Sequence, residues 1–382
     1  MNSMLEQVES LPALLRDNFQ MLDEAVRSTL DHELCLSLKR LFITGCGDSH
    51  HASLGTEMAI ETLSGLPVEP MTALQLSRYG AGFIPQTGPK TNLVIGISVS
   101  GSVSRTAEAL RMAGQANATT VALTATQGSL VAESAERVLL TQAPVFPDPP
   151  GTHTPGIRTY YINQIVLLLT AFRLGEVRGH LTTTRAVEIR SEILRLADAS
   201  EETITKCMPT AKEIAQEWSD AREFVFVGSG PNYATALFSA AKILEASGDS
   251  ALGQDTEEWN HLQYFAKDSN TPTFIISAGD RDLTRALETV VAARTIGRRV
   301  TAIAPETAIA ITGQADFTLP IANVPEIFSP VIAAIPGELF AAYRAEVMNE
   351  PFFRQFSGGR SQEGGGGISR IRTSDSWDKW QS

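Results

Sequence analysis

The feature that most constrains the fold is a pattern of short apolar segments, separated by helix-length stretches, that occurs twice along the chain. The first set of segments spans 41–44, 67–71, 93–97, 120–123 and 137–140, and the second spans 224–227, 250–253, 273–276, 300–303 and 317–320. Corresponding segments are about 180 residues apart, which indicates an internal duplication. Near-continuous apolar strands joined by long crossovers predict an α/β fold with two doubly wound, five-stranded parallel sheets.

The regions outside the two sheets define the remaining organisation. We expect N-terminal helices over 1–40, one domain over 41–175, a second over 176–345 and a tail over 346–382. A long helical stretch is expected between Asn163 and Glu217. The tail carries the glycine run Gly364–Gly367, which indicates either a flexible end or a lid over a site, and Ile368–Thr373 is a candidate short strand.

Composition excludes several classes of function. The 382 residues carry a formal net charge of −12, and the chain has no run rich in Lys or Arg, so neither nucleic acid nor an anionic membrane surface is an expected partner. Three widely spaced cysteines favour free thiols in a reducing compartment. Because the sequence shows no basic and apolar leader and no membrane-spanning apolar run, we expect a cytoplasmic protein.

Two turns in the first half are suited to binding an anion. Gly45-Cys-Gly-Asp-Ser49 follows the first strand, with a helix expected from about Ala52, and Ser98-Val-Ser-Gly-Ser-Val-Ser104 follows the third strand. A glycine turn alone is weak evidence, because a tight strand-to-helix turn needs glycine for structural reasons. One of the four serines is expected to cap the following helix. The remaining hydroxyls and the helical N–H groups make a phosphate monoester the best-fitting anion.

The second half repeats the glycine turn as Gly228–Asn232, but its third strand ends in the acidic Ser277–Asp282, which disfavours phosphate there. A helix expected from Ala234 to Ser247 carries Lys242 and Glu245 on one face. His261 follows sixteen residues after Glu245. These side chains are either an exposed helix pair with a capping or core histidine, or an acid and base for catalysis.

These motifs resemble the tandem sugar isomerase (SIS) family, which includes the isomerase half of glucosamine-6-phosphate synthase and the fructosamine-6-phosphate deglycases. The likeness covers about residues 35 to 345 and rests on Gly-Cys-Gly-Asp-Ser-His-His-Ala, Ile-Ser-Val-Ser-Gly-Ser, Gly-Ser-Leu-Val-Ala-Glu-Ser-Ala-Glu and Ala-Lys-Ile-Leu-Glu followed by the histidine. The resemblance implies flavodoxin-like sheets and a homodimer in which the histidine segment reaches the other subunit's pocket. It also implies a sugar-phosphate site formed by Gly47, Ser49, Ser98, Ser100, Gly101 and Ser102.

The resemblance further implies Glu245 as the catalytic base, His261 as the residue that opens the sugar ring, and Lys242 as a third active-site group. Moving a carbonyl between C1 and C2, or expelling an amine from a fructosamine, needs a base at an acidic C–H and an acid or base at the ring oxygen. We therefore expect a phosphosugar isomerase or deglycase, with neither cofactor nor metal. The alternative is a non-catalytic regulator that binds a sugar phosphate.

This chain departs from the family pattern in several places. Ser100-Gly-Ser-Val103 stands where Ser-Gly-Glu-Thr is frequent, so Ser104 is a candidate replacement hydroxyl. His261-Leu-Gln replaces His-Gly-Pro, and the active-site lysine of the synthase's tail has no match near Ile368–Thr373. The sequence also has no segment resembling the glutamine amidotransferase domain, so glutamine-dependent synthesis is not expected.

A few further residues are secondary candidates. Arg158 either contacts the substrate or pairs with a carboxylate, and Glu258 is a possible substrate contact beside His261. Trp259 is expected in the core rather than stacked on a sugar. His50 and His51 are adjacent and lack a completing cluster, so we do not expect them to bind a metal.

Overall fold

The computed structural model describes residues 2–88, 90–141, 143–148, 153–361 and 371–373. They form two compact units, each made of segments that are distant in sequence. The first-sheet unit comprises Asp17–Val145, Thr159–Leu194 and Phe356–Ser382, and the second-sheet unit comprises Met1–Arg16, Phe146–Arg158 and Arg195–Gln355. Each unit is built around its own parallel sheet.

The first sheet contains five parallel strands in the order β2-β1-β3-β4-β5. Its strands are β1 Arg40–Gly45, β2 Val68–Thr72, β3 Asn92–Ile97, β4 Thr119–Thr124 and β5 Arg137–Leu140. Strands β3 and β4 are buried along their whole length, which explains their apolar composition. The order is that of flavodoxin-like sheets, as predicted.

The second sheet has the order β10-β9-β8-β6-β7, which is the same order when its strands are counted from the first. Its strands are β6 Glu223–Gly228, β7 Ser250–Asp255, β8 Thr273–Ile276, β9 Val300–Pro305 and β10 Phe317–Ile321. All ten strands lie where the apolar segments predicted them. The predicted α/β fold with two parallel five-stranded sheets is therefore confirmed.

Helices connect the strands and precede the first sheet. In chain order they are α1 Ser3–Glu9, α2 Leu11–Thr29, α3 His32–Ser37, α4 Asp48–Ser64, α5 Ala73–Gln75, α6 Ser104–Gln115, α7 Leu130–Glu133, α8 Arg158–Val177, α9 Thr183–Glu217, α10 Pro231–Ala246, α11 Thr256–His261, α12 Leu283–Thr295, α13 Ile309–Thr312 and α14 Ser329–Met348. The N-terminal helices and the helical region before Glu217 are confirmed. Two predicted helix starts are wrong, because α4 begins at Asp48 rather than near Ala52 and α10 begins at Pro231 rather than at Ala234.

Each sheet is covered by apolar side chains from its own helices. On one face of the first sheet, Val94 and Ala122 pack with Leu110 of α6, and in the second unit Val225 and Ile275 pack with Val290 of α12. Burial of this apolar area is the main favourable contribution to folding, at about 25 cal/mol per Å².

Helix α14 belongs to the core of the second-sheet unit. By length and composition the segment Glu326–Met348 could cross a membrane, but 89% of its most apolar window is buried in the protein. The sequence analysis missed this apolar run, and core packing accounts for its composition. Helices α14 and α10 approach closely at Gly337, where a Cβ atom would collide with Ser239.

The predictions for the tail meet the structure only in part. The glycine run Gly364–Gly367 lies outside the described residues, so its interpretation as a flexible end or a lid stays a prediction. Of the candidate strand Ile368–Thr373, residues 371–373 are described and form a helical turn, so these three residues are not a strand.

Candidate functional site

The two glycine and serine turns of the first-sheet unit leave the sheet side by side. Strands β1 and β3 are parallel neighbours, and Gly45 at the end of β1 lies opposite Ile97 at the end of β3. The turns lead into α4 and α6, which begin at Asp48 and Ser104. Because the carboxyl ends of parallel strands meet at one edge, both helix N-termini lie at the edge where ligands of such sheets bind.

The glycine turn after the first strand has the same geometry in both units. Gly47 precedes α4 with φ 56° and ψ −127°, and Gly230 precedes α10 with φ 52° and ψ −129°. A Cβ atom on Gly45 would lie 2.6 Å from the Cβ of Ser49, so this glycine lets the helix approach the strand. The turn is therefore a structural requirement of both units, and an anion site needs further evidence.

The loop Ser98–Ser104, called the serine loop below, supplies part of that evidence. Ser98 is 3% exposed, and its hydroxyl has no hydrogen-bond partner among the residues that the structure describes. A buried hydroxyl without a partner is costly, and a ligand oxygen that accepts from Ser98 would remove this cost. The Ser100 and Ser102 hydroxyls are exposed and lie 2.9 Å apart.

The prediction that one of these serines caps α6 is wrong. The N-cap residue is Val103, no side chain in the described part of the protein caps the helix, and Ser104 is the first helical residue. The uncapped N–H groups of the first turn stay available to an anion, because a helix N-terminus lacks internal acceptors. None of the four serine hydroxyls is therefore used as a helix cap.

Ser49 and its neighbours occupy the first turn of α4. Ser49 is half-buried, and its backbone N–H donates to the carbonyl of Cys46 at 3.3 Å. Burial lowers the pKa of the His50 imidazole, which favours its neutral form. Within the described ranges, no three His, Cys, Asp or Glu side chains are arranged to hold a metal.

A buried ion cluster behind the serine loop was missed by the sequence analysis. The carboxylate of Glu108 is fully buried and accepts from Arg78 Nε at 3.0 Å and from Arg105 Nη1. Arg105 and Glu108 are three residues apart on α6, a spacing that could have signalled the pair. Arg78 could not have been found in this way, since it lies thirty residues away in the sequence.

In the second-sheet unit, Lys242 and Glu245 form an ion pair on α10 through Nζ and Oε2. Lys242 is fully buried and lies over the ring of Phe238, whereas the Glu245 side chain is 29% exposed. The interpretation as an exposed helix pair is therefore wrong. Burying a lysine is costly unless an anion and further contacts compensate for the lost hydration, so the pair is a candidate functional group.

This pair does not lie at the carboxyl ends of the strands, where we expect ligands to bind. Helix α10 begins next to the carboxyl end of β6 and ends at Ala246, shortly before β7 begins at Ser250. Glu245 thus lies in the last turn, toward the amino ends of these strands. A carboxylate is disfavoured at a helix C-terminus, and Lys242 offsets that cost.

His261 lies on the surface of the second-sheet unit. Its side chain is 68% exposed and its Nε2 lies 3.0 Å from Glu257 Oε1. Both oxygens of Glu257 also accept from Arg285, at 2.7 and 3.0 Å. The alternative of a capping or core histidine is wrong, since His261 is an exposed residue in the last turn of α11, Leu262 is the C-cap, and the imidazole is held by a carboxylate.

The secondary candidates also lie in the second-sheet unit. Arg158 Nη1 donates to the Ser10 hydroxyl at 2.7 Å, and its guanidinium lies over the ring of Phe146. Glu258 is exposed, and its backbone N–H donates to the capping carboxylate of Asp255. Trp259 is fully buried, which confirms the expectation of a core residue.

The strand end that corresponds to the serine loop carries acidic groups in the second-sheet unit. The Ser277 hydroxyl donates to Asp282 at 2.9 Å, and Glu326 lies close by. Burial, opposed in part by the Ser277 bond, raises the pKa of the Asp282 carboxyl to about 6. This environment disfavours a phosphate, as the sequence predicted.

Two cavities are found elsewhere in the first-sheet unit. They have volumes of about 170 and 550 Å³ and are lined by groups that include Arg190 in the first and Lys90 in the second. Neither is lined by a serine of the serine loop. Neither of these two cavities therefore contributes to the candidate anion site.

The two sheets and the loops at their strand ends define an α/β protein. Residues 36–147 match the family model described as the SIS domain, and this region contains both the glycine turn and the serine loop. This confirms the family resemblance on which the sequence analysis relied.

The chain is similar to individual proteins both in sequence and in structure. It is 28% identical over 346 residues to a glutamine–fructose-6-phosphate aminotransferase (isomerizing) from Gloeobacter violaceus, covering 90% of this chain and 55% of the relative. The chain thus spans about half the length of that relative. The structure resembles the C-terminal domain of glucosamine-fructose-6-phosphate aminotransferase from Francisella tularensis, with a TM-score of 0.76, 19% identity and coverage of 91% and 96%.

A second solved structure, tagatose-6-phosphate ketose/aldose isomerase from Escherichia coli, gives a TM-score of 0.73 with 16% identity. The match covers 92% of this chain and 95% of that one. At these identities the two structural matches establish the shared fold.

Proposed function

We propose that the protein is an enzyme that acts on a phosphorylated ketose or amino sugar, either as an aldose–ketose isomerase or as a deglycase that expels an amine. The observation that carries the proposal is the buried hydroxyl of Ser98, which has no partner in the described part of the chain and lies beside an uncapped helix N-terminus. The names of the relatives support the substrate class, because both fructose 6-phosphate and tagatose 6-phosphate are phosphorylated ketoses.

Phosphate binding is assigned to the first-sheet unit. The hydroxyls of Ser49, Ser98, Ser100 and Ser102, with Ser104 as a replacement donor, would hold the phosphate oxygens together with the backbone around Gly47 and Gly101. Such binding energy, realised away from the reacting carbon, serves to orient the sugar.

Proton transfer is assigned to the second-sheet unit. Glu245 would act as the general base that takes a proton from C1 of the ketose, or from C2 of the aldose, and returns it to the neighbouring carbon. Lys242, its buried partner, would stabilise negative charge that develops on the substrate oxygen. His261 would open the sugar ring, with Glu257 holding the imidazole in place. General acid–base help of this kind contributes roughly 10²- to 10⁴-fold in rate.

We also propose that the chain is a homodimer and that the exposed segment after α11 lies in the interface. Leu262 is 59% exposed and Phe265 is 75% exposed, directly after His261. Adjacent exposed apolar side chains are typical of an interaction surface. The second-sheet unit is proposed to be a diverged copy of the first, since both sheets share one strand order and one glycine turn.

The test of the function is isotope exchange and amine release. We expect fructose 6-phosphate or tagatose 6-phosphate to exchange the C1 or C2 proton with solvent deuterium, or fructosamine 6-phosphate to release its amine. Glu245→Gln should abolish this turnover, whereas Glu213→Gln, an exposed change on α9, should retain it. Turnover that survives Glu245→Gln contradicts the assigned base, and binding without exchange or release indicates the non-catalytic regulator.

The dimer can be tested with the same variants. If His261 of one subunit completes the site of the other, mixing inactive Glu245→Gln with inactive His261→Asn restores part of the activity. Light scattering on Phe265→Asp should show monomers. A wild-type monomer, or no recovery on mixing, would contradict the dimeric site.

A further inference from the structure

The first turn of α6 contains an arginine, whose positive charge is unfavourable at a helix N-terminus. Arg105 is the second residue of this helix, where the partial positive charge of the N-terminus disfavours a cation. Its side chain is only 17% exposed, so it does not escape into solvent. A cation retained at this position indicates a role beyond helix formation.

The Arg105 guanidinium is held by a carboxylate shared with a second arginine. Glu108, fully buried, accepts from Arg105 and, at 3.0 Å, from Arg78. Arg78 belongs to the short π-helical segment Leu76–Gly80 that follows α5, after the carboxyl end of β2. Glu108 thus fixes the Arg105 guanidinium in the first turns of α6, at the edge of the sheet that carries the serine loop.

The cluster also lies near the other turn of this edge. Partial desolvation by the surrounding protein raises the pKa of the Cys46 thiol, and the positive charges of Arg105 and Arg372 act in the opposite direction. Cys46 lies between Gly45 and Gly47, whereas Arg105 directly follows Ser104. The Arg105 charge therefore acts on the glycine turn, and Arg105 directly follows the serine loop, whose buried Ser98 hydroxyl has no partner within the described ranges.

We propose that Arg105, held by Glu108 and Arg78, binds the phosphate of the substrate and makes the serine loop selective for a dianionic ester. The inference rests on the proposed function, because it adds a residue to that phosphate site. A guanidinium forms charge-assisted, often bidentate, hydrogen bonds with phosphate oxygens, which are stronger than those from neutral hydroxyls. Hydroxyls and amides would then position the phosphate, and Arg105 would supply the charge.

The test measures the binding of inorganic phosphate by titration calorimetry at fixed ionic strength. Arg105→Gln should weaken binding on the order of 10- to 100-fold, the effect of losing one charge-assisted hydrogen bond. The phosphate affinity of Arg105→Lys should lie between those of wild type and Arg105→Gln, because lysine keeps the positive charge but lacks the several N–H donors of the guanidinium. The matched control is Arg111→Gln on the same helix, whose guanidinium contacts Ser134 Oγ at 2.8 Å and which should bind phosphate as wild type does.

A second variant separates binding from folding. Because Arg105→Gln removes one partner of a buried carboxylate, the double variant Arg105→Gln/Glu108→Gln also removes the carboxylate charge, so no carboxylate is left buried with a missing partner. Weak phosphate binding by this variant with a native thermal transition supports the proposal. Wild-type affinity in either folded variant overturns the role of Arg105 and leaves the proposed function intact. A wild-type protein that binds neither phosphate nor any sugar phosphate overturns both.

Discussion

Gly101 and Ser129 are in close contact within the first-sheet unit. The space that a Cβ atom on Gly101 would occupy is filled by the Ser129 side chain, and Gly101 itself has φ 66°. The Gly101 carbonyl accepts from the N–H of Val131 at 2.9 Å, so the serine loop is fixed against the start of α7. Gly101 is therefore required by the fold, whatever its contact with a ligand.

This contact predicts a difference between two glycine substitutions. Gly101→Ala should destabilise the protein by about 2–4 kcal/mol, from positive φ and from steric overlap. At Gly47 a Cβ atom would meet open space. Gly47→Ala should therefore lower the free energy of unfolding only through backbone strain at positive φ, by about 1–3 kcal/mol. Urea unfolding measures both. Adding Ser129→Gly should recover part of the loss in Gly101→Ala but none in Gly47→Ala; equal effects in the two backgrounds would contradict the steric argument.

We expect the buried arginine of α14 to be sensitive even to replacement by lysine, which keeps the positive charge. Arg344 of α14 is fully buried, and it donates to Asp249 Oδ2 at 2.8 Å and to the carbonyls of Trp218 and Ala221 at 3.0 and 2.7 Å. Lysine cannot reproduce these donors, so Arg344→Lys should lower the free energy of unfolding by about 2–4 kcal/mol. The control, Arg294→Lys at an exposed ion pair, should change it by about 0.5 kcal/mol or less. Similar urea midpoints for the two variants would refute this.

The raised pKa of Asp282 predicts a pH dependence of stability. Its carboxyl has a pKa of about 6 in the folded protein and an ordinary value of 3.8. Between these values the folded state binds more protons than the unfolded state, so this group's contribution to stability is complete below about pH 4 and is lost as the pH rises through 6.

Asp282→Asn keeps an acceptor for Ser277 and removes the ionisation. As the pH rises from 4 to 8, the free energy of unfolding of the variant should increase by about 1–3 kcal/mol relative to that of wild type. Denaturant unfolding at several pH values measures this difference. A difference between the two proteins that does not change with pH would show that Asp282 titrates normally.

The cysteines predict selective labelling beside the proposed phosphate site. Cys46 is exposed, whereas Cys35 and Cys207 are buried; the surrounding protein raises the pKa of all three thiols, so access to solvent is what distinguishes Cys46. A maleimide should therefore modify one thiol in the native protein and all three after unfolding. Mass spectrometry of peptides identifies the site, and Cys46→Ala is the control.

Phosphate should slow the labelling of Cys46, because this residue lies in the glycine turn next to the serine loop. Protection by phosphate but not by chloride at equal ionic strength is the expected result. Unchanged labelling at a phosphate concentration that saturates binding would argue against a site at this edge of the sheet.

Local sequence patterns determined the secondary structure and the sheet type. Ten apolar segments predicted ten strands, and the glycine turns at Gly47 and Gly230 marked the start of a helix in each unit. The boundary of α4 was misjudged because the helix begins directly after the positive φ of Gly47, so Ser49 lies within its first turn. The cap of α6 was misjudged for a related reason, since the cap position is taken by Val103 and not by one of the four serines.

Only the tertiary structure decided the electrostatic setting of the candidate residues. The spacing of Lys242 and Glu245 is compatible with an exposed or a buried pair, and packing around α10 buried the lysine. The contact between Arg78 and Glu108 joins residues that are separate in sequence, and the exposure of His261 depends on what covers α11. Periodicity is a property of neighbouring residues, whereas burial and ion pairing depend on which distant segments pack together, and that information is not contained in the local pattern.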